Sequence, residues 1–400
     1  MDVSKRSKPL LAFTAVIAAA ALTIAGCGSS SNDAAGAPQT SSGAGGSTTP
    51  AGTDGSSGDL FAFTGHEPPT DAPKPTPGKN VWIVSCGQAA SGCANGTAGI
   101  KEAVEAIGWK PTVIDGNFNV ADGYGNAIRQ ALAAGADGIL MHGVDCALVT
   151  GPLREAKAKK IPVVTSASFD CDDPKNQSPS EPLFTATLQM NSQYPDYGDW
   201  LYARGEQLGD YIISKTNGKA KIINEHFIGQ LLGEYAQAGL LASLKKCPDC
   251  KIVGDVTVSN ADLSAGADKQ KLAAAAVKAP DANVITYSFS SMVQSSQLQS
   301  VVSSMGHDVL VVGGEGQVNN LDIIRSGGKV PAAESAYPIA WFGYGVVDEL
   351  NRIFAGQQTV PEGAGWAIVD KDHNAGEKGQ EYQAPIDYKA AYKKTWGTAS

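Results

Sequence analysis

From residue 79 onward, short runs of β-branched and aliphatic residues alternate with longer stretches whose apolar positions recur every three or four residues. The run Val81-Trp82-Ile83-Val84 has the continuous apolar character of a strand covered on both faces. Residues 97–107 carry the period of a helix with one buried side, and Gly108 stops it. The alternation continues with a strand at 111–114, a helix at 121–134, a strand at 138–141, a helix at 146–159 and a strand at 161–164. This βαβαβαβ order predicts a parallel sheet with helices on both faces.

The same logic restarts after 184–188. Helices are predicted at 197–216, 231–246, 269–279 and 292–305, and strands at 220–224, 251–258, 283–287 and 309–312. A short helix at 321–326, an extended crossing at 335–338 and a helix containing 346–355 follow. About 320 residues exceed one ordinary core and suit two. The fold class read from the pattern is therefore α/β, with two similar lobes, each a parallel sheet flanked by helices.

Upstream, Lys5, Arg6 and Lys8 precede an apolar run at 10–25 that is broken only by Thr14 and Thr23. A membrane-spanning helix needs roughly 20 apolar residues, so this shorter run reads as a secretory signal. It ends Ile24-Ala25-Gly26-Cys27, and small residues before a cysteine resemble the bacterial lipobox. That resemblance implies a signal peptide at 1–26, lipid on Cys27 and anchoring to the outer side of the cell membrane. Several acyl chains hold a protein there, because each buried CH₂ contributes about 0.8 kcal/mol. Residues 27–78 are rich in Ser, Gly, Ala, Thr and Pro and hold few aliphatics. They are expected to form a disordered tether, stiffer across the prolines of 68–77.

Charge narrows the partners. Removing residues 1–26 takes away Lys5, Arg6, Lys8 and Asp2, which moves the net charge from −9 to −11. An acidic, tethered body is a poor electrostatic match for nucleic acid. With Cys27 lipidated, six of the seven cysteines remain, in an oxidising compartment. Six allow fifteen pairings; chain order suggests Cys86–Cys93, Cys146–Cys171 and Cys247–Cys250. The Cys247-Pro-Asp-Cys250 motif superficially suggests zinc or redox chemistry. Zinc needs four ligands and no second CxxC or CxxH exists, while a redox pair opens a helix and this one follows a helical stretch. A structural turn is the expectation, and no metal or cofactor is expected.

Ligands of open parallel sheets bind beyond the C-terminal strand ends. That rule selects Gln88 after the first strand, His142 and Asp145 after the third, and Ser166 and Phe169 after the fourth. In the second half it selects His226, Glu234, Ser288, Phe289 and Glu315, with Tyr337 on the crossing segment. Carboxylates accept hydroxyl hydrogen bonds and aromatic faces pack on the C–H face of a sugar ring, so the set suits a polyhydroxylated ligand. An exported hydrolase would need an activated nucleophile or a metal cluster, and neither Gly-x-Ser-x-Gly nor His-Glu-x-x-His occurs. No catalytic residue is assigned.

Three segments carry a family resemblance. They are Gly135-Ala136-Asp137-Gly138-Ile139-Leu140-Met141 with Asp145 and Lys160-Ile161-Pro162-Val163-Val164; Gly218-Lys219-Ala220-Lys221-Ile222-Ile223; and Val311-Val312-Gly313-Gly314-Glu315-Gly316. In this order they resemble type I periplasmic binding proteins, the ribose-binding branch. The resemblance implies a first lobe of 79–187 plus 337–365 and a second of 188–336 plus 366–400. Hinge strands near Thr187, Ala336 and Trp366 would let the lobes close. It also implies a monomer that captures a sugar or polyol and delivers it to an ABC-type permease. A membrane sensor as receiver, or a non-sugar metabolite as ligand, stays open. Asp145 matches the family's first-lobe acid. Glu315 stands where Asp is usual, Tyr337 where ribose binders have Gln and Glu234 roughly where they have Arg, which speaks against ribose itself.

Overall fold

The computed structural model describes residues 59–399. The expected signal peptide, Cys27 and most of the expected tether lie outside the described residues. In the first half, strands β1 (Asn80–Ser85), β2 (Lys110–Asp115), β3 (Gly138–His142), β4 (Val163–Ser166) and β5 (Ala186–Thr187) alternate with helices α1 (Ser91–Ala106), α2 (Gly123–Ala133) and α3 (Thr150–Ala158). They form one sheet in the order β2-β1-β3-β4-β5, with every neighbouring pair parallel. All five residues of β3 are buried, as a central strand covered on both faces requires. The expected helix at 146–159 splits into a 3-10 turn at Cys146–Leu148 and α3, because Val149 leaves helical geometry at φ −139°.

The second half contains α4 (Tyr197–Lys215), β6 (Lys221–Phe227), α5 (Leu231–Leu244), β7 (Lys251–Val258), α6 (Asn260–Ala265), α7 (Asp268–Lys278), β8 (Val284–Tyr287), α8 (Met292–Ser295), α9 (Leu298–Met305), β9 (Leu310–Gly313), α10 (Val318–Arg325) and β10 (Ala333–Ala336). The pattern missed α6, whose start is a capping box between Ser259 and Asp262. The single helix expected at 292–305 is two helices, because Gln297 adopts a left-handed φ of 52°. Helices α4 and α5 pack closely at two glycines. A Cβ on Gly239 would overlap the Tyr202 carbonyl oxygen, and one on Gly205 the Ala236 carbonyl oxygen.

After β10 the chain enters α11 (Ile339–Phe354), which covers the first sheet, and then β11 (Ala367–Asp370), which pairs antiparallel with β10. The second sheet runs β11-β10-β9-β8-β6-β7, parallel elsewhere. The body is thus two sheets of mostly parallel strands flanked by helices. Cysteine pairs 86–93, 146–171 and 247–250 are joined.

Two domain expectations need correction. Residues 366–400 do not all stay with the second lobe: α12 (Tyr388–Trp396) returns to the first, where buried Tyr392 and Trp396 pack on Tyr344 of α11. Nor is the segment up to residue 78 all tether. From residue 60 it is a strap across both lobes. Phe61 stacks on His373 at 3.6 Å between ring centroids, and the Thr64 N–H donates to the Trp366 carbonyl at 3.0 Å. Further on, Asn351 Nδ2 donates to the Pro73 carbonyl at 2.7 Å and Trp109 Nε1 to the Thr76 carbonyl at 2.8 Å. Proline-rich composition suppresses helices and central strands but leaves carbonyls free to accept, and distant side chains use them.

Candidate functional site

The C-terminal ends of the two sheets face each other, and a cavity of about 150 Å³ lies between them. The ends of β3 and β6 bring His142 and Phe227 to it, and the loops after β8, β9 and β10 bring Phe289, Glu315 and Tyr337. Tyr197, the first residue of α4, and Tyr124 and Phe118 add to the aromatic part of the wall, with Gln230 and Asn260 as polar members. A smaller cavity of about 60 Å³ continues into the second lobe and shares Tyr197, Leu232, Phe289, Glu315 and Tyr337 with the first.

Glu315 is 9% exposed. Burial pushes its carboxyl up to about 7, and the nearby Glu334 charge adds to this; Arg204 and the Ser290 backbone N–H pull the other way. Glu334 lies beneath the glycine loop and accepts from Tyr287, Ser290, Asn320 and the Gly316 N–H at 2.7–2.9 Å. Arg204 of α4 donates to the Gly314 and Ser335 carbonyls and places its guanidinium 5.1 Å from the centre of the Tyr337 ring. Tyr337 stacks on Phe342, centroids 5.2 Å apart. Opposite, burial depresses His142 to about 4, so its ring is neutral at pH 7, and Nδ1 is 2.9 Å from Ser166 Oγ. The wall therefore combines flat apolar faces with a few fixed hydrogen-bonding groups, which suits a neutral ligand having both hydroxyls and an apolar face.

The strand-end residues separate into groups. His142, Phe289, Glu315 and Tyr337 line the larger cavity, and Ser288 lines the smaller one while accepting from the Phe227 N–H at 2.9 Å. Asp145 and Glu234 lie outside both, on an open polar pocket of about 450 Å³ that meets the larger cavity at Gln230. Asp145 is pushed up to about 6 by burial and accepts from the Phe169 N–H at 3.1 Å.

Four residues do not reach the wall. Gln88 is exposed and donates to Ser85 Oγ at 2.7 Å; Ser166 stands behind His142. Phe169 is buried against Tyr235. His226 turns to Asn224 and Asp255, at 2.9 and 3.3 Å, because neighbouring strand residues point to opposite faces and Phe227 takes the cavity side.

Sequence reasoning missed Tyr197 and Arg204. Their signal was present in α4: residues 197, 201, 204, 205 and 208 repeat at helical spacing and all line the smaller cavity. Phe118, Tyr124 and Asn260 carry no comparable signal, since they come from loops and from helices that the cleft alone brings close. Among the described residues the one cluster of three metal-type side chains is Cys146, Asp170 and Cys171, whose sulfurs are joined in a disulfide and so are not thiolate ligands.

Residues 91–357 match a family model described as a periplasmic binding protein domain. Among solved structures, a glucose-galactose binding protein from Geobacillus stearothermophilus is similar at TM-score 0.59 and 18% identity, covering 74% of this chain and 99% of that one. An ABC transporter solute binding protein from Mycobacterium smegmatis, with bound glycerol, gives 0.61 and 19%, covering 76% and 100%. A galactofuranose binding protein gives 0.59 and 18%, covering 80% and 99%. No curated protein matches the chain in sequence.

Proposed function

Since the chain belongs to the periplasmic binding protein domain family, a family of extracytoplasmic binding proteins and not of enzymes, we propose that it is a lipid-anchored receptor that closes its two lobes on one sugar or polyol and hands it to an ABC-type permease. The observation that carries this reading is the cavity of about 150 Å³ between the strand ends, walled by aromatic rings and by Glu315 and His142. A void of about 150 Å³ holds one six-membered ring. Phe289 and Tyr337 bring aromatic surface to a sugar's C–H face, and Glu315 offers two acceptors to adjacent hydroxyls. Relatives of the same fold named for glucose-galactose and galactofuranose, and one with glycerol bound, support a polyhydroxylated ligand. The lipobox-like Ile24-Ala25-Gly26-Cys27 supports the anchor.

Calorimetric titration of the full chain with monosaccharides, cyclic polyols and linear polyols tests the reading. Saturable binding of one class, lost in Tyr337→Ala, is expected. A panel that gives no heat in any class counts against it. For the anchor, Cys27→Ala should move the protein out of the membrane fraction; retention there refutes lipid attachment at this residue.

A further inference from the structure

The second lobe buries two carboxylates that have no countercharge among the described residues. Glu225 on β6 and Asp268 at the start of α7 are 1% and 0% exposed. Between them stands Ser296, at the α8–α9 junction, with Oγ 2.6 Å from Glu225 Oε1 and 3.2 Å from Asp268 Oδ2. A serine hydroxyl has one proton to donate, so it serves one of the two acids at a time. Among the described residues, Glu225 Oε2, Asp268 Oδ1 and the adjacent Ser295 Oγ have no hydrogen-bond partner. Among the described residues neither acid has an ion-pair partner, and the neighbouring Lys271 is engaged by Asp262 at 2.7 Å. Buried acids in proteins are paired, neutralised by a proton or coordinated to a metal, and an orphaned buried oxygen needs one of these or an ordered water.

We propose that Glu225, Asp268 and Ser296 form a site for a hard divalent cation, with calcium the best match. All the donors are oxygens, which excludes soft metals, and two carboxylates supply the two negative charges such an ion neutralises. Calcium accepts irregular shells of carboxylate, hydroxyl and water oxygens, whereas magnesium demands a near-ideal octahedron. An open pocket of about 310 Å³, lined by Lys269, Gln270, Gln297 and Ser300, borders Ser296, which is itself fully buried. The ion would tie β6, which lines the second-lobe side of the ligand cavities, to α7 and to the α8–α9 turn. Glu225 also borders the smaller cavity.

The test uses the full chain, stripped with a chelator and then titrated with calcium chloride or magnesium chloride at pH 8. One calcium should bind per chain, and at a hundredfold excess over Kd the melting temperature should rise by roughly 5 °C. Asp268→Asn should weaken calcium binding at least ~10-fold. If that variant does not fold, terbium luminescence on the wild-type chain, displaced by calcium, replaces it, and Ser296→Ala gives a second, milder variant. No heat and no melting shift with either ion overturns the proposal. So does binding that persists unweakened in Asp268→Asn, or in Ser296→Ala where Asp268→Asn fails to fold, since the ion would then sit elsewhere.

Discussion

The ring of Phe169, from the loop after β4, lies flat on the ring of Tyr235 of α5, with centroids 5.1 Å apart and planes 9° apart. The contact joins the two lobes. The Tyr235 hydroxyl also donates to Asp173 of the first lobe at 3.0 Å. An aromatic pair contributes about 0.5–1.5 kcal/mol beyond its buried area, and a hydrogen bond to a charged group about 1.5–3. Tyr235→Ala should therefore favour the open form: the ligand-free radius of gyration should increase and ligand affinity should fall roughly 10-fold or more. Tyr235→Phe keeps the stack and should lie between. An unchanged scattering profile in Tyr235→Ala would show that this contact does not hold the lobes together.

Ligand affinity should depend on pH through Glu315. Burial first, and the Glu334 charge second, hold its carboxyl at about 7. If the ionised form accepts two ligand hydroxyls, affinity rises from pH 6 to pH 8 and levels off above. The gain should be about 10-fold, because each 1.4 kcal/mol is a decade. Glu315→Gln should bind more weakly at pH 8 and show no such rise. Equal pH profiles for the two proteins would remove Glu315 from the site.

Stability should fall as pH rises from about 5 to 9. Glu349 of α11 and Glu362 of the following hinge segment are both 0% exposed, and burial raises both well above the ordinary carboxylate range. Arg352 is the cation of this network among the described residues; it donates to Asp348 at 2.7 Å and faces Asp71 on the strap. Tyr392 donates to Glu362 at 2.7 Å. The folded state holds protons that the unfolded state releases above pH 4.5, so the slope of unfolding free energy with pH is negative in this window. Glu315 and Asp145, also raised, act in the same sense. Thermal melts from pH 5 to 9 test the sign, and Glu362→Gln should flatten the curve.

Residues 59–78 should stabilise the body. A chain beginning at Lys79 loses the Phe61–His373 stack and the hydrogen bonds of Thr64, Pro73 and Thr76. It should melt several degrees below a chain beginning at Asp59. Phe63 is half-buried near Trp341 and Tyr382, and Phe63→Ala should cost about 2 kcal/mol, below the usual range for a fully buried Phe. Identical melting curves for the two chain starts would mean that the strap is passive.

Much of this protein is legible without coordinates. Unbroken apolar runs identify the strands at 81–84, 138–141 and 309–312, because a strand covered on both faces needs one. The succession of such runs with helices dictates parallel sheets, and parallel sheets put ligands at their C-terminal edges. That rule alone brings His142, Phe289, Glu315 and Tyr337 to one cavity. Chain order likewise suggests the cysteine pairs that the structure joins.

What the tertiary structure decides is everything that depends on a side chain's direction or on a partner far along the chain. His226 and Phe227 are neighbours at the same strand end, yet the pleat sends one to Asp255 and the other to the cavity. Phe169 sits in the right loop but meets Tyr235 across the cleft before it can meet a ligand. The strap looks disordered by composition, since its few apolar residues cannot form a core of their own. It is ordered because Trp109, Asn351 and Trp366, remote in sequence, bond its backbone. Local pattern sets which residues are buried in an element; only the packed chain sets what each one faces, because that depends on contacts no local window contains.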